Sequence, residues 1–258
     1  MNCQILTYNT HGLPWSKNQS KEIAEWICTR RPQIVFLQEV FLASVREFYK
    51  SYLERAGYRV CIPADQNVSL LPSGLVSAFL DSEYTLINSC FCPYLSFHNV
   101  EWFSNKGFHC LHLQQQATRQ NIHVINTHTQ SDTEVSWWFG RQITHNIRKK
   151  QIEQILDHCR WYKDPVIVAG DLNCEISPHP YLRFLQSPCV TVRKSTFYST
   201  GEDLDHFCWL PLQWSRGDCT FCNIDKTGPQ LRSCRIFDLP WSDHAPVLGD
   251  IFIPALPK

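Results

Sequence analysis

The sequence predicts an α/β protein, and two observations carry that reading. Short continuous apolar runs, Ile34-Val35-Phe36-Leu37 and Val166-Ile167-Val168-Ala169, are too short for helices and have the pattern of strands covered on both faces. Between such runs lie longer segments with apolar residues every three to four positions, the pattern of helices laid against a sheet.

In chain order, residues 4–8 read as a first strand ending on Asn9, and Gly12 with Pro14 forces a loop after it. Ser20 is expected to cap a helix over 21–30, with Ile23, Trp26 and Ile27 on one face. The second strand, 34–37, stops at Gln38-Glu39. A helix over 43–55 follows, striped by Val45, Phe48, Tyr49 and Tyr52 and ended by Gly57. Strands are expected at 58–62, 74–80, 84–88, 107–113 and 121–126, the last running into Thr127-His128. A helix over 141–159 has Ile143, Ile147, Ile152, Ile155 and Leu156 as its apolar face, and Arg148, Lys149 and Lys150 read as its solvated face. The strand 166–169 leads into Gly170-Asp171-Leu172-Asn173, where Gly170 is expected to let the chain turn sharply. A short helix over 181–186, a strand over 205–209, an irregular stretch over 211–232, and strands over 235–239 and 245–253 complete the reading.

Composition bounds the function. The 258 residues, 43% of them hydrophobic, suffice for one core, and no linker-like tract or repeat divides them, so one domain spanning 1–258 is expected. The formal net charge is zero, which argues against a protein that finds nucleic acid or anionic membrane by its overall field. Any phosphate must be held locally. Thirteen cysteines with no charged, apolar leader at the N-terminus suggest reduced thiols and a cytoplasmic location. Cys219 and Cys222 have no second pair at zinc-site spacing, so no zinc site is expected there. No apolar run approaches the ~20 residues that span a bilayer.

Five strands end on polar residues: Asn9; Glu39; His128; Asp171 with Asn173; and Asp243 with His244. Each alone reads as a turn or cap. Together they form an oxygen-rich set suited to a hard dication, with two histidines for proton transfer near neutral pH.

These residues also carry a family resemblance. Asn9, Gln38-Glu39, Thr127-His128, Gly170-Asp171-Leu172-Asn173, Leu204-Asp205-His206 and Ser242-Asp243-His244 resemble, in order and near spacing, the endonuclease/exonuclease/phosphatase superfamily. The resemblance implies a four-layered α/β sandwich of two facing, mostly antiparallel sheets flanked by helices. It implies hydrolysis of a phosphodiester with magnesium as cofactor, manganese being a substitute. It further implies Glu39 as principal metal ligand with Asn9 and Asp243 beside it. Asp171 and His244 would surround the attacking water, Asn173 would orient it, Asp205 would hold His244, and His128 would face the phosphate.

Within the superfamily, Ser73-Gly74-Leu75, Asn105-Lys106-Gly107 and the opening Tyr8-Asn9-Thr10-His11-Gly12-Leu13-Pro14 are similar to the neutral sphingomyelinase-like branch. His128 stands where apurinic-site endonucleases typically have tyrosine. Ser73-Gly74 lacks the glutamate with which pancreatic-type deoxyribonucleases support the equivalent histidine. A lipid headgroup is therefore the expected substrate, and a nuclease or DNA-end phosphodiesterase is the rival; a binding module without catalysis would be expected to lack one of the site residues. Lys106 reads equally as a cation near phosphate or a turn residue. Three consecutive aromatics, Trp137-Trp138-Phe139, cannot all point into one core, so Trp137 and Trp138 are expected to offer peripheral membrane contact. A monomer is expected.

Overall fold

The computed structural model describes residues 1–12, 19–64, 71–98, 104–131, 141–175, 203–204, 207–210 and 229–254. Asp205, His206, Trp137, Trp138, Cys219, Cys222 and the expected helix over 181–186 lie outside the described residues. Thirteen strands and three helices run β1 (Asn2–Asn9), α1 (Ser20–Arg30), β2 (Ile34–Gln38), α2 (Ala43–Arg55), β3 (Tyr58–Cys61), β4 (Val76–Leu80), β5 (Tyr84–Pro93), β6 (Gly107–Gln115), β7 (Asn121–His128), α3 (Arg141–Cys159), β8 (Val166–Asp171), β9 (Cys174–Glu175), β10 (Asp203–Leu204), β11 (Phe207–Leu210), β12 (Gln230–Ile236) and β13 (Val247–Phe252) among the described residues.

Two sheets carry the fold. One has the order β12-β13-β1-β2-β4-β3 and the other β11-β8-β7-β6-β5. Pairing is antiparallel except for β1 with β2 and β7 with β8. The four layers follow from strand alternation. On β1, Cys3 and Ile5 face the space between the sheets, where Ile34, Phe36, Val124, Ile167 and Ala169 meet them. Leu6 and Tyr8 face outward, under Ile23 and Ile27 of α1 and Tyr49 and Leu53 of α2. On the second sheet Ile125, Val166 and Val168 face outward against Ile152, Ile155 and Leu156 of α3. Among the described residues no helix is long and apolar enough to cross a membrane.

The structure corrects several local expectations. Ser20 is the first helical residue rather than the cap, Gln19 precedes the helix without a side-chain cap, and the Ser20 hydroxyl engages Tyr49 instead. The strand expected at 235–239 is β12, ending at Ile236. It is an edge strand with a bulge between Leu231 and Ser233, and an edge needs no apolar run, which is why Gln230 to Arg232 looked irregular. Edge position also explains why β5 continues through polar Asn88 and Ser89 to Pro93. On α3, Arg148 is buried, not solvated, and its Nη1 donates to the Gln130 carbonyl at 3.2 Å, while Ile143 is exposed. Gln151 likewise donates to the Ser96 carbonyl at 2.8 Å and accepts from the Gln130 N–H at 2.8 Å. Covered loop backbone needs polar partners, so the first half of this helix buries donors and acceptors rather than isoleucine.

Gly170 does not turn the chain. It stays in β8, at φ 151°, opposite Thr127, and a side chain there would sit 2.0 Å from the Thr127 carbonyl oxygen. The absence of a Cβ lets β7 and β8 close up, and the turn falls three residues later at Asn173, φ 46°.

Candidate active site

The alternation that builds the inner core also builds the site. Continuing Cys3, Ile5 and Thr7 along β1 brings Asn9 to the inward face at the rim of the sandwich; continuing Ile122 and Val124 along β7 brings Asn126 and then His128; continuing Ile167 and Ala169 along β8 brings Asp171. Polar side chains thus replace apolar ones at the last inward positions of three strands. Below the rim, Gln38 Nε2 donates to Thr7 Oγ1 at 3.1 Å and to Asn126 Oδ1 at 2.8 Å, and Asn126 Nδ2 donates to the Val76 carbonyl at 3.0 Å. This buried polar layer floors the site and joins the sheets.

Glu39 follows β2 in the left-handed conformation, φ 59°, so its carboxylate enters from beside the strand. Asn9 Nδ2 donates to Glu39 Oε1 at 2.9 Å and to Asp171 Oδ2 at 2.8 Å, tying a carboxylate of each sheet to one amide. The Asn9 oxygen accepts from the His11 N–H at 3.0 Å. Asn9, expected as a metal ligand through oxygen, therefore offers nitrogen to the pocket here.

His128 Nε2 lies 3.6 Å from Asp171 Oδ2 and 3.9 Å from Glu39 Oε1. Lys106 Nζ sits 3.3 Å from the same nitrogen and donates to the Thr129 carbonyl at 2.8 Å. An ammonium can only donate, so Nε2 of His128 accepts and its proton resides on Nδ1. Lys106 is buried, which resolves the two sequence readings in favour of a cation in the pocket.

The Ser242-Asp243-His244 turn is pinned over the end of β1. Ser242 Oγ donates to the Asn9 carbonyl at 2.8 Å and accepts from the His244 N–H at 3.1 Å. His244 Nε2 is thereby held 3.8 Å from Asp171 Oδ2. Asp243 points elsewhere: its Oδ2 pairs with His11 Nδ1 at 2.9 Å, and His11 lies 4.0 Å from Glu39 Oε2. The Asn173 N–H donates to Asp171 Oδ1 at 3.1 Å, and its side chain donates to the Thr129 carbonyl at 3.3 Å.

Asn9, Glu39, His128, Asp171 and His244 thus converge; Asn173 lines their edge, Asp243 joins through His11, and Asp205 is outside the described residues. Sequence reasoning named Gln38 and His11 only inside motifs and Asn126 only as a strand end, and gave none of them a role. Only the position of His11, two residues past Asn9, hinted at it.

Burial pushes the Glu39 carboxyl above the usual carboxylate range and the nearby Asp171 charge adds to the rise, against the opposing pull of Asn9, His244 and Lys106. Two carboxylates and an imidazole nitrogen, all within 4.8 Å of one another, fit a small hard dication, which would relieve the crowding of negative charge.

Comparison with known proteins agrees with this fold. Sphingomyelinase C from Streptomyces griseocarneus is 17% identical, with TM-score 0.70 over 97% of this chain and 99% of that one. A Staphylococcus aureus beta toxin variant with bound magnesium ions is 15% identical, with TM-score 0.70 over 98% and 100%. The human Nocturnin catalytic domain, with a bound sulfate anion, is 17% identical, with TM-score 0.66 over 98% and 95%. A search of curated protein sequences finds no match. The sequence model of the Endonuclease/Exonuclease/phosphatase family matches residues 6–244, and the chain belongs to that family, whose members are hydrolases acting on phosphoester bonds.

Proposed function

We propose that this protein is a magnesium-dependent phosphodiesterase of the sphingomyelinase kind, hydrolysing a phospholipid headgroup ester by in-line attack of water. The observation that carries the proposal is the convergence of Asn9 and Glu39 from one sheet with His128 and Asp171 from the other, beside His244 and Lys106.

Asp171 and His244 are the pair that orients the water and takes its proton, Oδ2 and Nε2 standing 3.8 Å apart; the proton belongs to the pair, since such titrations are coupled. Asn173 sets the edge against which the water or a phosphate oxygen is placed. Lys106 brings positive charge to the phosphate, and it fixes the His128 tautomer so that Nδ1 carries the proton. Asp205 is proposed to hold His244 in its productive orientation. Glu39 would hold magnesium, and Asn9 and Asp243 are proposed as ligands beside it once their side-chain oxygens, engaged by His11 here, turn into the pocket. When bound, the ion supplies neutralisation of phosphate charge and stabilisation of the leaving oxygen. The lipid preference draws on the sphingomyelinase among the structural relatives and on the run of aromatics Trp137-Trp138-Phe139 in the sequence.

The test is magnesium-dependent hydrolysis compared across sphingomyelin, an inositol phosphate, abasic DNA and plain duplex DNA. Sphingomyelin turnover is expected to fall ~100-fold or more in Asp171→Asn and His244→Ala. Trp137→Ala with Trp138→Ala is expected to lower vesicle binding while sparing a soluble diester. Activity on DNA alone would overturn the lipid reading, and near wild-type activity in Asp171→Asn would overturn the mechanism.

A further inference from the structure

A second cluster of chemically active side chains lies on the outer face of the β11-β8-β7-β6-β5 sheet, under the last turns of α3. Cys90 and Cys92, two residues apart on β5, share a face, and Cys110 stands directly opposite Cys90 on β6. His158, in the last turn of α3, comes down on them: its Nδ1 is 3.8 Å from Cys92 Sγ and its Nε2 is 3.9 Å from Cys90 Sγ. Neither the phosphodiester chemistry nor the inner core uses any of these groups. Glu39, His128 and Asp171 face the space between the sheets, on the other side of the strands.

We propose that Cys90, Cys92, Cys110 and His158 form a structural zinc site that clips edge strand β5 to the end of α3.

Four features support it. The donor set is thiol and imidazole with no carboxylate among them, which selects a borderline-soft dication over magnesium. The spacing is close to what the ion needs: bonds of ~2.3 Å to sulfur and ~2.0 Å to nitrogen in a tetrahedron put donors ~3.5–3.8 Å apart. Here the Cys90, Cys92 and His158 donors already lie within 4.8 Å of one another. The imidazole is oriented from behind, as metal-bound histidines are: the Tyr162 hydroxyl lies 2.7 Å from Nε2, which leaves Nδ1 for the ion. Phe108 and Tyr162 pack edge-on against the ring, centroids 5.0 and 5.5 Å away, and fix its plane. Cys90, Cys92 and His158 are only partly buried, so an ion can reach them, and the buried Cys110, opposite Cys90 on β6, is the thiol proposed for the fourth position.

Charge is in keeping with this. The Cys110 and Cys92 thiols donate to Cys90 and, with His158, hold the Cys90 thiol far below its ordinary range, while Cys92 and Cys110 are pushed up in return. Cys159, next to His158, is pushed up to about 12 by burial and stays outside the set. Cys90, Cys92, Cys110 and Cys159 are free thiols.

The experiment uses the full chain, reduced and stripped with a chelator, then titrated with cobalt(II) and zinc(II). Stoichiometric cobalt is expected to give a thiolate charge-transfer band in the near ultraviolet and the strong visible bands of a tetrahedral centre, both abolished by zinc. Carboxylate binding at the catalytic rim gives no thiolate band. Cys90→Ser and Cys92→Ser should remove the band and Cys28→Ser, on α1, should keep it. Tyr162→Phe should weaken cobalt binding ~10-fold or more with the spectrum retained. In the unaltered protein, zinc should shield the accessible Cys90 and Cys92 from alkylation, mapped by mass spectrometry. A missing thiolate band, a band surviving in Cys90→Ser, or equal alkylation with and without zinc would overturn the proposal.

Discussion

Replacing Asn9 by aspartate changes one nitrogen to oxygen and tests whether the amide holds two carboxylates together. In the native site its Nδ2 donates to Glu39 and Asp171 at 2.9 and 2.8 Å, each contact a hydrogen bond to an acidic group worth ~1.5–3 kcal/mol. In Asn9→Asp an ionised oxygen would sit at those distances from both acids. At an effective dielectric constant of about 20 each repulsion is about 6 kcal/mol, about 12 kcal/mol together. Binding a proton is cheaper: above a carboxylate pKa of ~4 it costs about 1.4 kcal/mol per pH unit, hence roughly 1.5 kcal/mol at pH 5 and 4 kcal/mol at pH 7. Protonation therefore wins, and the folded variant carries one more proton than its unfolded chain. The sign follows: the variant loses stability relative to the native protein as pH rises, with a slope of about 1.4 kcal/mol per unit. Asn9→Ala, which removes the donors without adding charge, is expected to show a constant deficit instead. Urea denaturation of the three proteins from pH 5 to 7 measures this, and magnesium should flatten the slope of Asn9→Asp by neutralising the cluster. A pH-independent loss equal to that of Asn9→Ala, unchanged by magnesium, would refute the shared-amide geometry.

Two further outcomes follow from the fold. Gly170→Ala puts a methyl 2.0 Å from the Thr127 carbonyl oxygen, so β7 and β8 must part by about an ångström where His128 faces Asp171. The expected result is a stability loss of ~3 kcal/mol or more and a fall of ~100-fold in hydrolysis of a soluble diester, and unchanged denaturation would contradict it. His109, buried between the Ser77 and Ser89 hydroxyls at 3.0 and 2.9 Å, is held neutral by burial, its pKa lowered to about 4. A histidine pKa depressed on folding leaves stability intact above ~6.5 and removes it as pH falls toward 4, at most roughly 3 kcal/mol. His109→Gln should show a shallower loss over that window in urea denaturation, and a profile parallel to the native one would count against a neutral buried imidazole.

Much of the site was legible because it shares its cause with the core. Asn9, His128 and Asp171 each end a run whose first inward positions are apolar, so alternation gives both the strand and the face on which the polar residue stands. What was illegible depends on contacts between distant segments. Lys106 precedes Gly107 as a turn lysine would, and only the approach of Thr129 and His128 makes it a pocket cation. Arg148 read as solvated because charge usually is, yet the loop at 94–98 and the end of β7 cover backbone groups that need it and Gln151. β12 was misplaced since an exposed edge strand imposes no apolar pattern. The thiol cluster was hidden for a similar reason: Cys90 and Cys92 meet Cys110 through strand register and His158 through helix packing, neither of which is written in local spacing.

The position of the site also has a topological cause. Each sheet contains one parallel pair, β1 with β2 and β7 with β8, and each pair needs a long crossover that returns the chain to the same starting end. The carboxyl ends of all four strands are thereby collected at one rim. In register, Asn9 pairs with Gln38 just before Glu39, and His128 pairs with Asp171. When the sheets face each other across the apolar layer, the two pairs of ends oppose, and the Asn9 amide spans the gap to Asp171 at 2.8 Å. An antiparallel neighbour would have placed one member of each pair at the opposite rim. The parallel pairs let four separated segments of chain supply one pocket, and the buried Gln38–Asn126 contact at 2.8 Å holds the sheets at the separation the pocket requires.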